Sequence, residues 1–520
     1  MLFSPSILTA VVASLAGFAS GFGLRSDLAK RLQLAAELGL DSDLLLKDRD
    51  SFRTAVTQVK TPAEYRSSTN ALQLPIDHDN PAVGTFQNRY WVNDAFYEPG
   101  GPVVLYDVGE ADGEPSAAHL TSSVSFFPPV LQELGAIGIV WEHRSVSPDR
   151  SRYYGDSLPY PINNHTPPEH WKYLTTRQAL ADIPAFAENF TRPGLQQHDL
   201  TPKSTPWVMI GGSYPGARAA FARNEYPDTI FASFATSAPV QAQINMSVYY
   251  EQIYRSMVAN GIRNCASDIH AALEYIDNQL SQEDTAASIK QLFFGAGAEK
   301  ISNEDFTQAL AVIYGSFQTY GIDGPAGSLG EFCRYLESDP LTGQTAGADG
   351  LAPILGNRYL AERWAGWPTF TQLVNANYET NCRGLNKSAA RSCELNKPVT
   401  DASAIAWTWQ YCSQWGFYQS NNEGVHSLLS RYQTLEFQQF SGHLPPQPQA
   451  DALNVEFGGW NIRPSNVYFS AGEFDPWRAL TLLSTEQFSL QLNVTSEIPR
   501  CGVRTAPDTV FGISNQHYIL

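Results

Sequence analysis

Charge is scarce in this 520-residue chain: Asp, Glu, Lys and Arg make up 17% of it, against about 25% in ordinary soluble domains. Positive charge is scarcer still. Lys and Arg number 34 against 52 Asp and Glu, a formal net charge of -18. That excess of carboxylates favours solubility and argues against nucleic acid or an anionic membrane as partner. The six cysteines form no C-x-x-C pair, which excludes the common zinc and redox motifs. No metal-ligand cluster, phosphate loop or dinucleotide fingerprint is visible, so no cofactor and no metal are expected. Fixed-period repeats and low-complexity tracts are also missing. Beyond the first residues, no stretch is apolar for long enough to span a bilayer.

What is present points outward from the cell. MLFSPSILTAVVASLAGFASGFG carries no charged side chain before Arg25. Its short, Ala/Ser/Gly-rich apolar part, with Gly17 and Ala19 as a small-x-small site, reads as a signal peptide over residues 1–23. N-x-S/T sequons at Asn164, Asn189, Asn245, Asn386 and Asn493 are then candidate glycosylation sites. An even cysteine count fits the same route. Cys382 and Cys393 bracket a short polar loop and are expected to pair; Cys265–Cys333 and Cys412–Cys501 would complete the set. A secreted protein, or one of a lysosome- or vacuole-like compartment, is expected.

Hydrophobic residues at 43% and aromatics at 12% are ample for a large core. Residues 24–70 begin with apolar positions at helical spacing, as an N-terminal helical segment or propeptide would. From 71 the texture changes. TFQNRYWV (85–92), GPVVLYDVG (101–109), AIGIVWEH (136–143), WVMI (207–210) and TIFASFATSAPV (229–240) read as strands, with a helix at LTTRQALADIPAFAENF (174–190). Strands alternating with helices predict a parallel α/β sheet over 71–240. Helical segments dominate 241–450 and carry five of the six cysteines. β texture returns at NVYFSAGEFDPW, so 451–520 reads as the second part of the same core, with 241–450 as a helical cap inserted into it.

One serine sits at a telling corner. In WVMIGGSYPGARAAF, Gly211 and Gly212 follow the strand WVMI, Ser213 comes next and a helix begins. A sharp strand-to-helix turn lifts a serine hydroxyl above the sheet, where a base can reach it. Strict G-x-S-x-G fails because position 215 is proline. Pro215 falls in the first helical turn, where a missing N–H costs little, and Tyr214 keeps the N–H that would serve an oxyanion. On this core the acid and then the histidine follow the serine in the chain. Asp475, after VYFSAGEF, is the candidate acid, with Glu473 its substitute. His517 is the one histidine after Asp475. His443, in a proline-rich loop before it, is the reserve base.

Taken together, GGSYPG, ATSAPV, GEFDPW and the late histidine resemble the prolyl carboxypeptidase and dipeptidyl peptidase II family of serine peptidases. FQNRYW, EHR followed by YYGDSLPY, YLTTRQALAD and WTWQYCSQWGFYQ extend the likeness over residues 77–517. The resemblance implies an α/β-hydrolase fold with a large, mainly helical cap. It further implies cleavage of proline-containing peptides after proline, by an exopeptidase or, in some members, an endopeptidase. Ser213 would be the nucleophile, His517 the base and then acid, and Asp475 the group orienting His517. Tyr214 N–H would share the oxyanion hole with a donor near Gly109 and Glu110. Trp477 is the candidate wall of a proline pocket. Glu110 and Asp112 are candidates for holding a free amine, if the amino end of the substrate is read.

Two stretches depart from the family pattern. SVSPDRSR (145–152) intervenes between EHR and YYG, as a loop extension would, and the sequence ends QHYIL just after His517. Two other functions stay open: an esterase on the same core, since fold does not fix function, and, given those departures, a glycosylated binding protein built on a silent peptidase.

Overall fold

Near-continuous apolar runs make the centre of the molecule. VVLYD, IGIVW and WVMIGG carry few polar side chains, which suits strands covered on both faces. A computed structural model of the protein describes residues 26–41, 54–56, 68–144, 162–163, 165–422, 424–439 and 447–515. Its strands are β1 (Ser68–Pro75), β2 (Thr85–Asn93), β3 (Val103–Asp107), β4 (Ile137–Trp141), β5 (Trp207–Gly212), β6 (Ala232–Thr236), β7 (Gln243–Asn245), β8 (Gly416–Tyr418), β9 (Val467–Gly472), β10 (Asn493–Thr495) and β11 (Thr509–Asn515). Nine of them form one sheet in the order β1-β2-β4-β3-β5-β6-β9-β11-β10. Pairing is antiparallel at β1–β2 and β2–β4 and parallel from β4 onward. The strands expected from sequence are all here; β1, β10 and β11 join them, and β7 and β8 make a small parallel pair of their own.

From β3 the chain moves first to β4 on one side and then to β5 on the other. The C-terminal ends of β3 and β5 therefore flank the crevice where open α/β sheets bind ligands. Helices cover both faces. Thr176–Asn189 is capped by Thr175, and Tyr214–Glu225 packs beside it. In the second, every residue from Tyr214 to Arg223 is buried, so this helix lies inside the molecule rather than on it.

Between β6 and β9 the chain is mainly helical, from Val248–Ala259 through Arg263–Leu280 and Glu283–Phe294 to Ala402–Gln410 and Leu435–Gln439. It is a helical cap inserted into an α/β-hydrolase core. The cap is rooted by β7–β8 and by Asn454, whose side chain brackets Ala242 with two 2.8 Å hydrogen bonds. The helical N-terminal segment is present as Ser26–Glu37. It bridges both parts: Tyr320 of the cap donates to Leu32 O at 3.2 Å, and Glu37 meets His119 of the core at 2.9 Å.

Two expected disulfides form, Cys265–Cys333 and Cys382–Cys393. The third does not. Cys412 and Cys501 are both free. Cys412 is buried beside the Tyr411 and Tyr418 hydroxyls, and burial pushes its thiol up to about 11. Cys501 is exposed, on a turn beyond β10, where Asn466 Nδ2 approaches its sulfur at 3.7 Å. A bridge requires Cα atoms within about 7 Å, and these two sit on different parts of the molecule. No helix among the described residues is long and apolar enough to cross a membrane. A thiol reagent is expected to modify one cysteine, Cys501, in the native protein and two after denaturation. Two fast-reacting native thiols, or none in either state, would refute the assignment.

Candidate active site

The turn at Ser213 is strained. Ser213 has φ 61° and ψ -130°, a region that non-glycine residues occupy only under constraint. The constraint is visible. Ser213 N donates to Thr236 O at 2.9 Å, and Ser213 O accepts from Ala217 N at 3.0 Å. The serine hydroxyl does not cap the helix that starts at Tyr214. Gly211 is required by close approach, since a Cβ there would lie 2.3 Å from Pro215 O.

Pro215 has a second purpose. Its ring packs on Gly109, which has φ 57°; a Cβ on Gly109 would come 2.1 Å from Pro215 Cγ. The loop after β3 is thereby pressed onto the first turn of the Ser213 helix. Below that contact, Asp107 Oδ1 accepts from Gly109 N at 2.9 Å, and Asp107 Oδ2 pairs with Arg218 Nη1 at 2.5 Å. Both side chains are completely buried. Burial lifts the Asp107 carboxyl above its ordinary value, while the Arg218 charge and the Gly109 N–H oppose it. Sequence reasoning did not single out Asp107 or Arg218, although an acid at the end of a buried strand is a visible signal. Gly109 N–H, one of the two oxyanion donors expected from the sequence, is thus already engaged by Asp107.

Asp475 follows β9 and is fully buried. Its Oδ1 accepts from Trp477 N at 2.9 Å, capping the short helix Pro476–Leu480. Its Oδ2 has no hydrogen-bond partner among the described residues. The Ser237 hydroxyl lies near enough to favour the charged form, but makes no well-formed bond to that oxygen. Burial pushes the carboxyl up to about 6, against Ser237 and Trp477 N–H. Glu473, the substitute acid, is half-buried, and its carbonyl accepts from Arg478 Nη1 at 2.9 Å. The strand ends are level: Ser237 N donates to Ser470 O at 2.7 Å, Gly212 stands beside Thr236, and Asn515 beside Gly472. His517, His443, Tyr153, Tyr154 and the 145–152 stretch lie outside the described residues.

The EHR stretch proves to be a set of ties at the end of β4. Glu142 holds Arg89 at 3.0 and 3.1 Å and accepts from Gly113 N at 3.1 Å. Arg144 is buried against Asp182 and also donates to Pro75 O, Ile76 O and Tyr173 O. Against the cost of burial, Arg144 and His78 hold the Asp182 carboxyl below its usual range. His143 Nε2 lies 3.1 Å from the Tyr214 hydroxyl. Asp112 caps its own helix through Glu114 N at 3.0 Å and faces Arg89 at 3.3 Å, so its carboxylate already serves the loop. Glu110 is 5% exposed. Trp477 is buried, with its N–H on Gln318 Oε1 at 3.0 Å and its ring against Tyr249 and Phe417 of the cap.

Sheet order, strained serine turn and an acid after a later strand define an α/β-hydrolase core. A family model described as serine carboxypeptidase S28 matches residues 75–497. The chain belongs to that family of serine peptidases. A probable extracellular serine carboxypeptidase of Arthroderma benhamiae is 28% identical over 440 residues, covering 79% of this chain and 58% of that one. This chain thus spans little more than half of that relative. The lysosomal Pro-X carboxypeptidase of Mus musculus is 26% identical over 457 residues, covering 83% of each chain. Among solved structures, an esterase of Pyrobaculum calidifontis matches 40% of this chain and 55% of its own, with 12% identity and a TM-score of 0.23.

Two outcomes are expected. Gly109→Ala should lower stability by about 1–3 kcal/mol, measured by urea unfolding. Pro215→Ala in the same chain should restore part of the loss by opening room; no restoration would refute the contact. The second concerns Asp475. With its carboxyl near 6 when folded and about 3.9 when unfolded, the folded state binds the extra proton between those values. Stability of a His517→Ala variant should therefore fall as pH rises from about 4 to 6, by on the order of 2–3 kcal/mol. The slope should be smaller by that amount in Asp475→Asn/His517→Ala, where Asp112 and Glu337, both raised to about 7 mainly by burial, still contribute. Equal slopes in both variants would overturn the buried carboxyl.

Proposed function

We propose that the protein is a secreted serine peptidase that cleaves peptides after proline, with Ser213, His517 and Asp475 as its triad. The observation that carries this is the alignment at one sheet edge. A strained serine follows β5, and two strands away a buried carboxyl follows β9 with one oxygen unsatisfied among the described residues. β11 brings the chain to position 515 opposite Gly472, two residues before His517. An imidazole there would supply the donor that Asp475 Oδ2 lacks. Membership of the serine carboxypeptidase S28 family supports the same reading.

In this mechanism His517 takes the Ser213 proton as Oγ attacks the carbonyl after proline. Asp475 holds the imidazole in the right tautomer and stabilises the imidazolium. Tyr214 N–H, at the positive end of its helix, and Glu110 N–H receive the oxyanion. The proton passes to the leaving amine, and water then releases the acyl group by the reverse sequence. The aromatic cluster of Trp477, Tyr249 and Phe417 beside Asp475 supports an apolar seat for proline. The relatives named as extracellular and lysosomal enzymes support export. Asn189, Asn245, Asn386 and Asn493 are exposed and are proposed glycan acceptors; Asn164 lies outside the described residues.

The test is mass spectrometry of proline-containing peptides, with free and blocked ends, incubated with the protein. Cleavage after proline is expected, and Ser213→Ala should abolish it. Asp475→Asn should lower kcat by about 10⁴-fold. Turnover of simple esters without peptide cleavage would make the protein an esterase. A folded protein that neither cleaves nor reacts with a fluorophosphonate would be a binding protein.

A further inference from the structure

Two stretches of the family likeness, EHR at 142–144 and WTWQYCSQW at 407–415, take no part in that reaction, yet both converge on Tyr214. The Tyr214 ring is 1% exposed. It lies against Trp407 and Trp415, with centroids 5.1 and 5.6 Å away. Its hydroxyl accepts a hydrogen bond from Gln410 Nε2 at 2.9 Å and meets His143 Nε2 at 3.1 Å.

The direction of the second bond follows from the other ring nitrogen. His143 Nδ1 is 2.5 Å from Arg144 O, and a carbonyl only accepts, so Nδ1 carries a proton. Burial, aided by the Arg218 charge, holds the imidazole well below its ordinary pKa. His143 is therefore neutral, Nε2 presents a lone pair, and the Tyr214 hydroxyl donates to it. Burial likewise pushes the Tyr214 phenol up to about 12, so it keeps its proton. Gln410, Tyr214, His143 and Arg144 O form one directed chain from cap to core.

The cap end of this chain is held rigidly. Gln410 ends the helix Ala402–Gln410 and is followed by a π-helical turn, Tyr411–Trp415, a rare element that recurs at functional sites. From that turn Gln414 Oε1 accepts from Thr176 N at 2.9 Å, and Trp415 Nε1 donates to Thr176 Oγ1 at 3.1 Å. The core end is held by the ties of Arg144 to Asp182.

We infer that Gln410 and His143 are positioning residues. They fix the Tyr214 ring, and through it the backbone N–H beside Ser213, so that seating of the cap sets the alignment of the oxyanion donor. The inference rests on the reading of Ser213 as nucleophile and Tyr214 N–H as donor. A ring packed against two tryptophans and bonded at its hydroxyl is restrained from tilting, and its Cα, bonded directly to that nitrogen, carries the restraint to the N–H.

A double-mutant cycle tests this, with active sites counted by fluorophosphonate titration and kinetics taken per titrated site on a proline-containing peptide. Tyr214→Phe and Gln410→Leu should each lower kcat about tenfold or more, with KM within about twofold. The double variant should be no slower than Tyr214→Phe alone, because Gln410 acts through the hydroxyl that Phe lacks. If Tyr214→Phe does not fold, Gln410→Leu with His143→Gln forms the equivalent cycle, and their losses should again fail to multiply. Losses that multiply, a change confined to KM, or a kcat within about twofold of wild type would overturn the inference. Wild-type protein that is neither labelled nor active would instead remove the reading beneath it.

Discussion

The contact on which the rest of the site depends is the buried pair of Asp107 and Arg218. Two opposite charges without solvent are costly unless each is paired and hydrogen-bonded. Here the carboxylate also receives Gly109 N–H, and the guanidinium donates to Ala179 O at 2.9 Å and lies over the Trp141 and Tyr214 rings at 5.2 and 5.9 Å. One ion pair thus ties together the end of β3, the Ser213 helix, the helix Thr176–Asn189 and β4. Losing either partner would strand a charge, which costs about 3–5 kcal/mol. The pair also sets local chemistry: the fixed positive charge of Arg218 helps keep His143 neutral.

Around that tie, the strain at Ser213 is bearable. A non-glycine residue at φ 61° is held there by Thr236, by the following helix and by Pro215 pressed on Gly109. Proline at position 215, which breaks the strict serine motif, is therefore a packing element. Its missing N–H is one the helix start does not use, and its ring fills the space that Gly109 leaves. The departure from the motif and the glycine in the neighbouring loop are one feature.

The cap is more than a cover. Its aromatic segment at 407–418 supplies Trp407, Gln410 and Trp415 to Tyr214, and Phe417 to Trp477. The N-terminal helix adds a second bridge from Tyr320 to His119. Cap and core are coupled at two places, one beside the serine and one beside the loop after β3.

Local pattern determined much of this. The apolar runs dictated the central strands because strands buried on both faces tolerate few polar residues. The glycines and serine at 211–213 marked the turn, and the order of Ser213 and Asp475 along the chain anticipated their place at one sheet edge. Cys382 and Cys393 were near enough in sequence for their pairing to be legible. Only the tertiary structure decided the rest. Asp107 and Arg218 are 111 positions apart, and Tyr214 and Gln410 are 196 apart, distances at which no periodicity links two residues. The same holds for Cys412 and Cys501, whose number allowed a pair that their positions do not. Chain order specifies which groups exist; which of them touch is settled by closing the sheet and seating the cap, because burial leaves each polar group only the partners that the packing brings to it.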